Sequence, residues 1–299
     1  MKSLQLSEQF FSRLETLALI LKSNLSGYFG GKHFVKTYGQ TMEFADYREY
    51  QLGDDIRRID WNLYSRFEKH FLKLFTDERQ MQIQIFLDCS ASMGQDNPQK
   101  AFYAIKAAAA LGFLSVHNMD KVSFHLMREN RAENPFGTIV GKNAFYRAIK
   151  EMESIEFKGD VDIGNCVTSC PNVNTGKGLT IIISDFFTED SWKRAVDYLG
   201  YKRRQVMLFQ VLSQDEADPL YDGRVSLIDS ESVDVSDSRN MKLRISRNLQ
   251  KAYAEAMKDF KKGISTFCSK RDVDFISACS DSQIEKVLFG ELLKVGAIK

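Results

Sequence analysis

The stretch Ile83-Gln84-Ile85-Phe86-Leu87-Asp88-Cys89-Ser90-Ala91-Ser92-Met93-Gly94 decides how this chain is read. A mostly apolar run of strand length ends in an aspartate, and two serines follow at alternate positions. Apolar runs without polar alternation mark strands covered on both faces, as in parallel sheets. One carboxylate and two hydroxyls then stand together at the carboxyl end of a strand. Leu179-Thr180-Ile181-Ile182-Ile183-Ser184-Asp185 repeats the pattern, with a second aspartate just past a β-branched run.

Outward from Asp88, strands alternate with helices. Asn97-Pro98 opens a helix, since Asn caps well and Pro is tolerated at the first helical position. That helix runs through Phe102, Ile105, Ala109 and Leu114 to about His117. Lys121–Met127 reads as a strand, and Asn143 as the cap of a helix ending near Glu153. Asp162 to Cys170 reads as a short helix, followed by the Leu179–Ser184 strand. Thr188 is expected to cap a helix with Glu189 and Asp190 in its first turn, where the macrodipole favours acids. Gln205–Leu212 is a strand, Arg224–Asp229 and Ser232–Val235 an edge hairpin, and Ile245–Lys270 a long amphipathic helix. Val273–Ile276 is a last strand and Asp281–Leu288 a last helix. The alternation predicts an α/β fold, a doubly wound and mostly parallel sheet with right-handed crossovers. Ligands in such sheets bind beyond the carboxyl ends of the strands, which is where Asp88 and Asp185 fall.

Upstream the texture differs. Leu4 to Leu25 carries Phe10, Leu14, Leu17 and Leu21 at helical spacing. Residues 32–80 are dense in charge and aromatics and read as short strands and turns. The expected division is residues 1–80 as an N-terminal helix plus an irregular segment, 81–290 as the sheet domain and 291–299 as a tail.

Composition excludes several classes. The chain has 299 residues, with Lys+Arg 41 against Asp+Glu 40, so no global field points to nucleic acid. Polar and acidic residues interrupt the first ten positions, unlike a secretory signal, and no apolar run reaches membrane-spanning length. The five cysteines, Cys89, Cys166, Cys170, Cys268 and Cys279, form no Cys-x-x-Cys. They read as buried free thiols in a cytoplasmic protein. The four histidines show no metal-ligand spacing.

The oxygens are the chemistry. Asp88, Ser90 and Ser92 alternate on a tight loop and can converge on one ion, and Asp185 adds a carboxylate from a second strand end. Hard oxygens suit Mg²⁺ or Mn²⁺. A third loop, Gly159-Asp160-Val161-Asp162-Ile163, offers Asp160. Capping of a strand-to-helix loop by Asp and Ser is the bland alternative. Catalytic patterns fit less well: Gly-x-Ser-x-Gly is absent, and an Asp-nucleophile phosphatase would carry a second aspartate where Ser90 stands.

These residues resemble a known family. Asp88-x-Ser90-x-Ser92 with Asp185 is similar to the metal-ion-dependent adhesion site of von Willebrand factor A domains. Glu43-Phe44, Arg48-Glu49-Tyr50, Gly53-Asp54-Asp55, Arg57, Ile59-Asp60-Trp61, Arg66 and Lys73 resemble the signature of the bacterial domain-of-unknown-function family 58. The likeness runs from about Gly30 to Leu288. It implies a von Willebrand factor A-like fold, a divalent cation at the site, and an adaptor that works with a MoxR-type AAA+ ATPase or its client. In such adhesion sites the partner supplies an acidic side chain to the metal. Two positions depart from the pattern. Val161 stands where the family has a metal-ligating threonine, and Thr41 where it often has glycine.

Arg57, Asp60 and Trp61 are candidate partner-binding residues. The alternative for them is ion pairing by Arg57, Arg58 and Asp60, with Trp61 buried as an anchor. The expectation is therefore a non-enzymatic protein-interaction module holding Mg²⁺ or Mn²⁺ at Asp88, Ser90, Ser92, Asp185 and Asp160. Its competitors are a Mg²⁺-dependent hydrolase, with Asp160 or Asp162 as base, and a scaffold whose metal site is vestigial.

Overall fold

The computed structural model describes residues 6, 9–16, 42–51, 54–77, 81–94, 97–174, 178–188, 190–217, 223–227, 241–245 and 247–290. Helix α1 spans residues 9–16, the described part of the expected N-terminal helix; residues 17–41 lie outside the described residues. Strand β1 (Met42–Glu49) pairs antiparallel with β2 (Phe71–Asp77), and the register shifts between Phe44 and Asp46. Between them lie a 3-10 turn (Ile56–Arg58) and helix α2 (Trp61–Phe67). This helix was not expected: seven residues are too few to show a helical period. Its start is nevertheless a side-chain cap, since Asp60 accepts from the backbone N–H of Asn62 and Leu63.

The main unit follows in order as β3 (Gln82–Asp88), α3 (Ala91–Gly94), α4 (Pro98–His117), β4 (Lys121–Arg128), β5 (Arg131–Glu133), α5 (Lys142–Met152) and α6 (Ile163–Thr168). It continues as β6 (Gly178–Ser184), α7 (Ser191–Tyr201), β7 (Gln205–Leu212), α8 (Gln214–Ala217), β8 (Gly223–Leu227), β9 (Met241–Ile245), α9 (Arg247–Ser269) and β10 (Asp274–Cys279), with a last helix, α10, over residues 284–290. Six strands form one sheet in the order β10-β7-β6-β3-β4-β5. All pairings are parallel except β4 with the edge strand β5. The expected doubly wound, mostly parallel α/β architecture is what the chain adopts.

Period-two alternation splits the sheet's side chains between two cores. Ile83, Ile85, Leu87, Leu179, Ile181, Ile183, Met207 and Phe209 pack with α1, α4 and α5. Phe86, Ile182, Val206 and Leu208 pack with α6, α7 and α9. The alanines of α4 let it lie close on the sheet. At Gly112 a Cβ would stand 2.7 Å from the Phe124 ring, so even alanine would press on it. The chain enters at β3 and winds to β4 on one side and to β6, β7 and β10 on the other. The direction of winding therefore reverses between β3 and β6, and the crevice there is the ligand-binding position of this architecture.

Several boundaries differ from expectation. α5 is capped at Gly141, not Asn143, and α7 starts at Ser191 behind Asp190, whose side chain makes no cap bond. The edge hairpin is instead a separate antiparallel pair, β8 with β9; Ser232–Val235 lies outside the described residues. Trp61 is not a buried anchor: it is 57% exposed.

Candidate functional site at the carboxyl edge of the sheet

Asp88 ends β3 and is buried. One carboxylate oxygen accepts from the N–H of Ser90 at 2.9 Å, and the other from the Ser184 hydroxyl at 2.6 Å. The Ser90 and Ser92 hydroxyls lie 3.1 Å apart. Asp185 follows β6, also buried. Its Oδ1 accepts from the N–H of Phe187 at 3.0 Å, while Gln210 donates to its backbone carbonyl at 2.9 Å. The residue between, Phe186, has φ +61°, a conformation costly for a bulky side chain. It is held there by burial beside Trp192 and by a bond from its N–H to Ser184 Oγ. Strain at the turn after β6 thus aims Asp185 back at the crevice.

Burial pushes the Asp88 carboxyl above its ordinary value, and the negative charge of Asp185 pushes the same way. The structure therefore brings together Asp88, Ser90, Ser92 and Asp185.

Asp160 is placed differently. Its loop is strapped to the site, with the N–H of Ala91 on Gly159 O at 2.8 Å and that of Lys158 on Cys89 O at 2.9 Å. The Asp160 side chain itself is exposed and accepts from the N–H of Val161 at 2.6 Å. Val161 is buried in the apolar core with Phe86 and Met127, so that position contributes no oxygen. Asp162 caps α6 and pairs with Arg194 at 3.0 Å, a half-buried structural role.

Two residues at the site escaped the sequence reading. Lys100, in the first turn of α4, is completely buried. Its ammonium lies 2.7 Å from Asp185 Oδ2, 2.7 Å from Glu216 Oε1 and 3.1 Å from the Ser92 carbonyl. Burial alone would lower its pKa; the charges of Asp185 and Glu216, and their hydrogen bonds, outweigh it and raise the value. Asn97 fixes this turn by accepting from the N–H of Gln99 and Lys100. Glu216 is set by a capping box: Ser213 N–H donates to Glu216 Oε2 at 2.8 Å and Glu216 N–H to Ser213 Oγ at 3.2 Å. Both had signals. Lys100 lies three and four residues before buried Tyr103 and Ala104, on the helix's inward stripe, and Ser213-x-x-Glu216 spells the capping box.

The cluster holds three carboxylates and one ammonium. That shortfall of positive charge, with hard oxygens only, suits a divalent cation in kind. Among the described residues, no group of three or more His, Cys, Asp and Glu side chains is placed to hold a metal. The two strand-end carboxylates, Asp88 and Asp185, would need the serines to complete a ligand set.

Of the partner-binding candidates, Asp60 is buried as the cap of α2 and accepts from the Tyr47 hydroxyl at 3.1 Å. Arg57 is exposed, as is Trp61. On the same helix Tyr64, whose ring meets that of Trp61 edge-on at 6.0 Å, and Phe67 also reach solvent, Phe67 at 62% exposure, as does Ile56 in the turn before it.

Residues 46–262 match the family model described as "Protein of unknown function DUF58". The chain belongs to that family. Uncharacterized proteins of Mycobacterium bovis and Mycobacterium tuberculosis are 27% identical over 224 residues, which is 73% of this chain and 70% of theirs. Among solved structures, a von Willebrand factor type A protein from Catenulispora acidiphila aligns with TM-score 0.37 and 9% identity, covering 75% of this chain and 43% of that one. Proximal thread matrix protein 1 of the mussel byssus aligns with TM-score 0.37 and 11% identity, covering 72% and 45%. The chain thus spans less than half the length of either.

Proposed function

We propose, from membership of the DUF58 family and from the geometry above, that the chain is a non-enzymatic, cytoplasmic protein-interaction module. One observation carries this reading: α2 buries none of its residues, Trp61, Tyr64 and Phe67 on it stand exposed, and so does Ile56 in the turn before it. Exposed large aromatics gathered on one short element mark a protein interface rather than ordinary surface. The partner class is a MoxR-type AAA+ ATPase or the client it remodels.

The carboxyl-edge cluster is the second element of the reading. Asp88, Ser90, Ser92 and Asp185 would hold Mg²⁺ or Mn²⁺. The ion, when bound, supplies an open coordination position to an acidic side chain of the partner. Asp160, with its exposed carboxylate on the adjoining loop, is the remaining oxygen donor. Val161 supports the competing scaffold reading, because it leaves the loop one ligand short.

A pull-down of a purified MoxR-type ATPase tests both elements. Retention by the wild type, lost in a Trp61→Ala/Phe67→Ala variant and reduced by EDTA or Asp88→Ala, is the expected result. Unchanged retention in the double alanine variant overturns the aromatic face as the interface. Mg²⁺-dependent phosphoester turnover that disappears in Asp88→Ala overturns the non-enzymatic reading.

A further inference from the structure

We infer that Lys100 is a built-in competitor for the cation at Asp185, and that binding the ion hands its ammonium over to Glu216. This rests on the metal reading above and gives it a regulator.

Lys100 carries three N–H donors and meets three acceptors: Asp185 Oδ2, Glu216 Oε1 and the Ser92 carbonyl. A saturated, fully buried ammonium is a fixed positive charge at the carboxylate that a divalent ion would take. An ion entering between Asp88 and Asp185 meets that charge at short range in a medium of low dielectric. Asp185 can serve the ion well only by giving up Lys100.

Glu216 provides the place for the ammonium to go. It already lies 2.7 Å from Nζ, and the capping box with Ser213 keeps it there whether or not Asp185 is engaged. Glu216 is the more solvated of the two partners, its side chain 28% exposed against 2% for Asp185. Transfer to it therefore moves the charge outward, away from the ion. The handover would be felt on α9. Tyr253 of that helix donates to the Glu216 carbonyl at 2.8 Å. Phe187, 5.7 Å from Nζ, stacks on Phe260 of the same helix at 5.4 Å. Val161 sharpens the competition, since a site lacking one oxygen has less affinity with which to expel a lysine.

The test is titration with Mn²⁺, followed by electron paramagnetic resonance, and with Mg²⁺ by calorimetry. It compares wild type, Lys100→Met, Glu216→Gln and Lys106→Met, with folding checked by circular dichroism. Removing the competitor is expected to tighten cation binding about tenfold or more, as expected when the competent state is otherwise a minor one. Glu216→Gln, which removes the fallback partner, is expected to weaken binding about threefold or more. Lys106→Met makes the same charge change about 9 Å further along α4 and is expected to stay within about twofold.

A wild type that binds nothing while Lys100→Met binds supports the inference in its strongest form. Equal or weaker binding by Lys100→Met than by a wild type that binds overturns the inference and leaves the metal reading standing. No binding by any folded variant overturns both. Should Lys100→Met fail to fold, Glu216→Gln decides: affinity at or above the wild type's overturns the handover.

Discussion

Replacing Lys100 by Met removes the only ammonium that touches Asp185 in the described structure and leaves a carboxylate that is 2% exposed. Methionine matches the stem of lysine, so the loss is one of charge and hydrogen bonding more than of packing volume. Breaking a buried pair by deleting one partner costs about 3–5 kcal/mol, because the survivor stays desolvated and uncompensated. Asp185 retains the Phe187 N–H, which recovers part of that cost, and Glu216 can be rehydrated. The low end, about 3 kcal/mol, is therefore expected. A domain of ordinary stability, ~5–15 kcal/mol, survives it with a visibly lower unfolding midpoint. Adding Asp185→Asn removes the stranded charge. The double variant should then be more stable than the sum of the single losses requires, by about 2 kcal/mol. Urea unfolding of the four proteins at pH 7.5 with EDTA, to remove adventitious cations, measures the cycle. Additivity within about 0.5 kcal/mol, or a Lys100→Met loss below about 1 kcal/mol, would refute the claim that the pair is one buried electrostatic unit.

Two further outcomes follow from buried groups outside the site. His125 lies against Phe86 at 4.6 Å and bonds Ser123; burial lowers its pKa from 6.5 to about 4. The unfolded chain therefore binds more protons between those values, and this stabilising contribution is lost as pH falls through the window. The stability gap between wild type and His125→Gln should shrink by about 2 kcal/mol from pH 7 to pH 5; a constant gap would show that His125 is not buried in its neutral form. Asp120 acts in the opposite sense, burial having raised it to about 6, which is why a difference between variants, not the wild-type curve, is the measurement. Gly178→Ala drives a Cβ into the Gln82 carbonyl of the neighbouring strand, where backbone must yield. A loss of about 2–3 kcal/mol in urea unfolding is expected, and a neutral outcome would contradict the tight β3–β6 approach.

The sheet was legible because its signals are long and redundant. Ile83 to Leu87 and Leu179 to Ile183 have no solvent-facing alternation to confuse them, and Asn97-Pro98 marked the start of α4 to the residue. The same logic put Asp88 and Asp185 at strand ends, and adjacency of β3 and β6 brought them together. Illegible features depend on tertiary context. Trp61 looks like a core residue by type, and only its place on a short helix shows that it faces solvent. Asp60 looks like an ion-pair partner, yet it caps that helix. Asn143 and Thr188 are good caps by chemistry, but the chain turns into α5 and α7 at Gly141 and Asp190 instead. Glycine tolerates the φ of +79° at Gly141.

Lys100 shows the limit most clearly, and what it changes about the site. The motif Asp-x-Ser-x-Ser names a carboxylate and two hydroxyls but no cation, so the sequence alone leaves the missing positive charge to come from outside. The fold supplies one from within, eight residues after Ser92, across a helix cap that neither serine foretells. A lysine so placed makes sense only with acceptors ready for it. Glu216, more than a hundred residues later, is one of them, joined by no local pattern to the residues it serves. The charge balance of the edge is thus set by four segments: the loop after β3, the first turn of α4, the turn after β6 that carries Asp185 and the capping box after β7. Its occupancy should accordingly respond to whatever moves α9 against that last segment, through Tyr253 and the Phe187–Phe260 stack. Whatever shifts α9 and an ion seated at Asp88 would then act on the same ammonium, and a ligand that shifts α9 would alter the ion's affinity by the factor by which the ion alters its own.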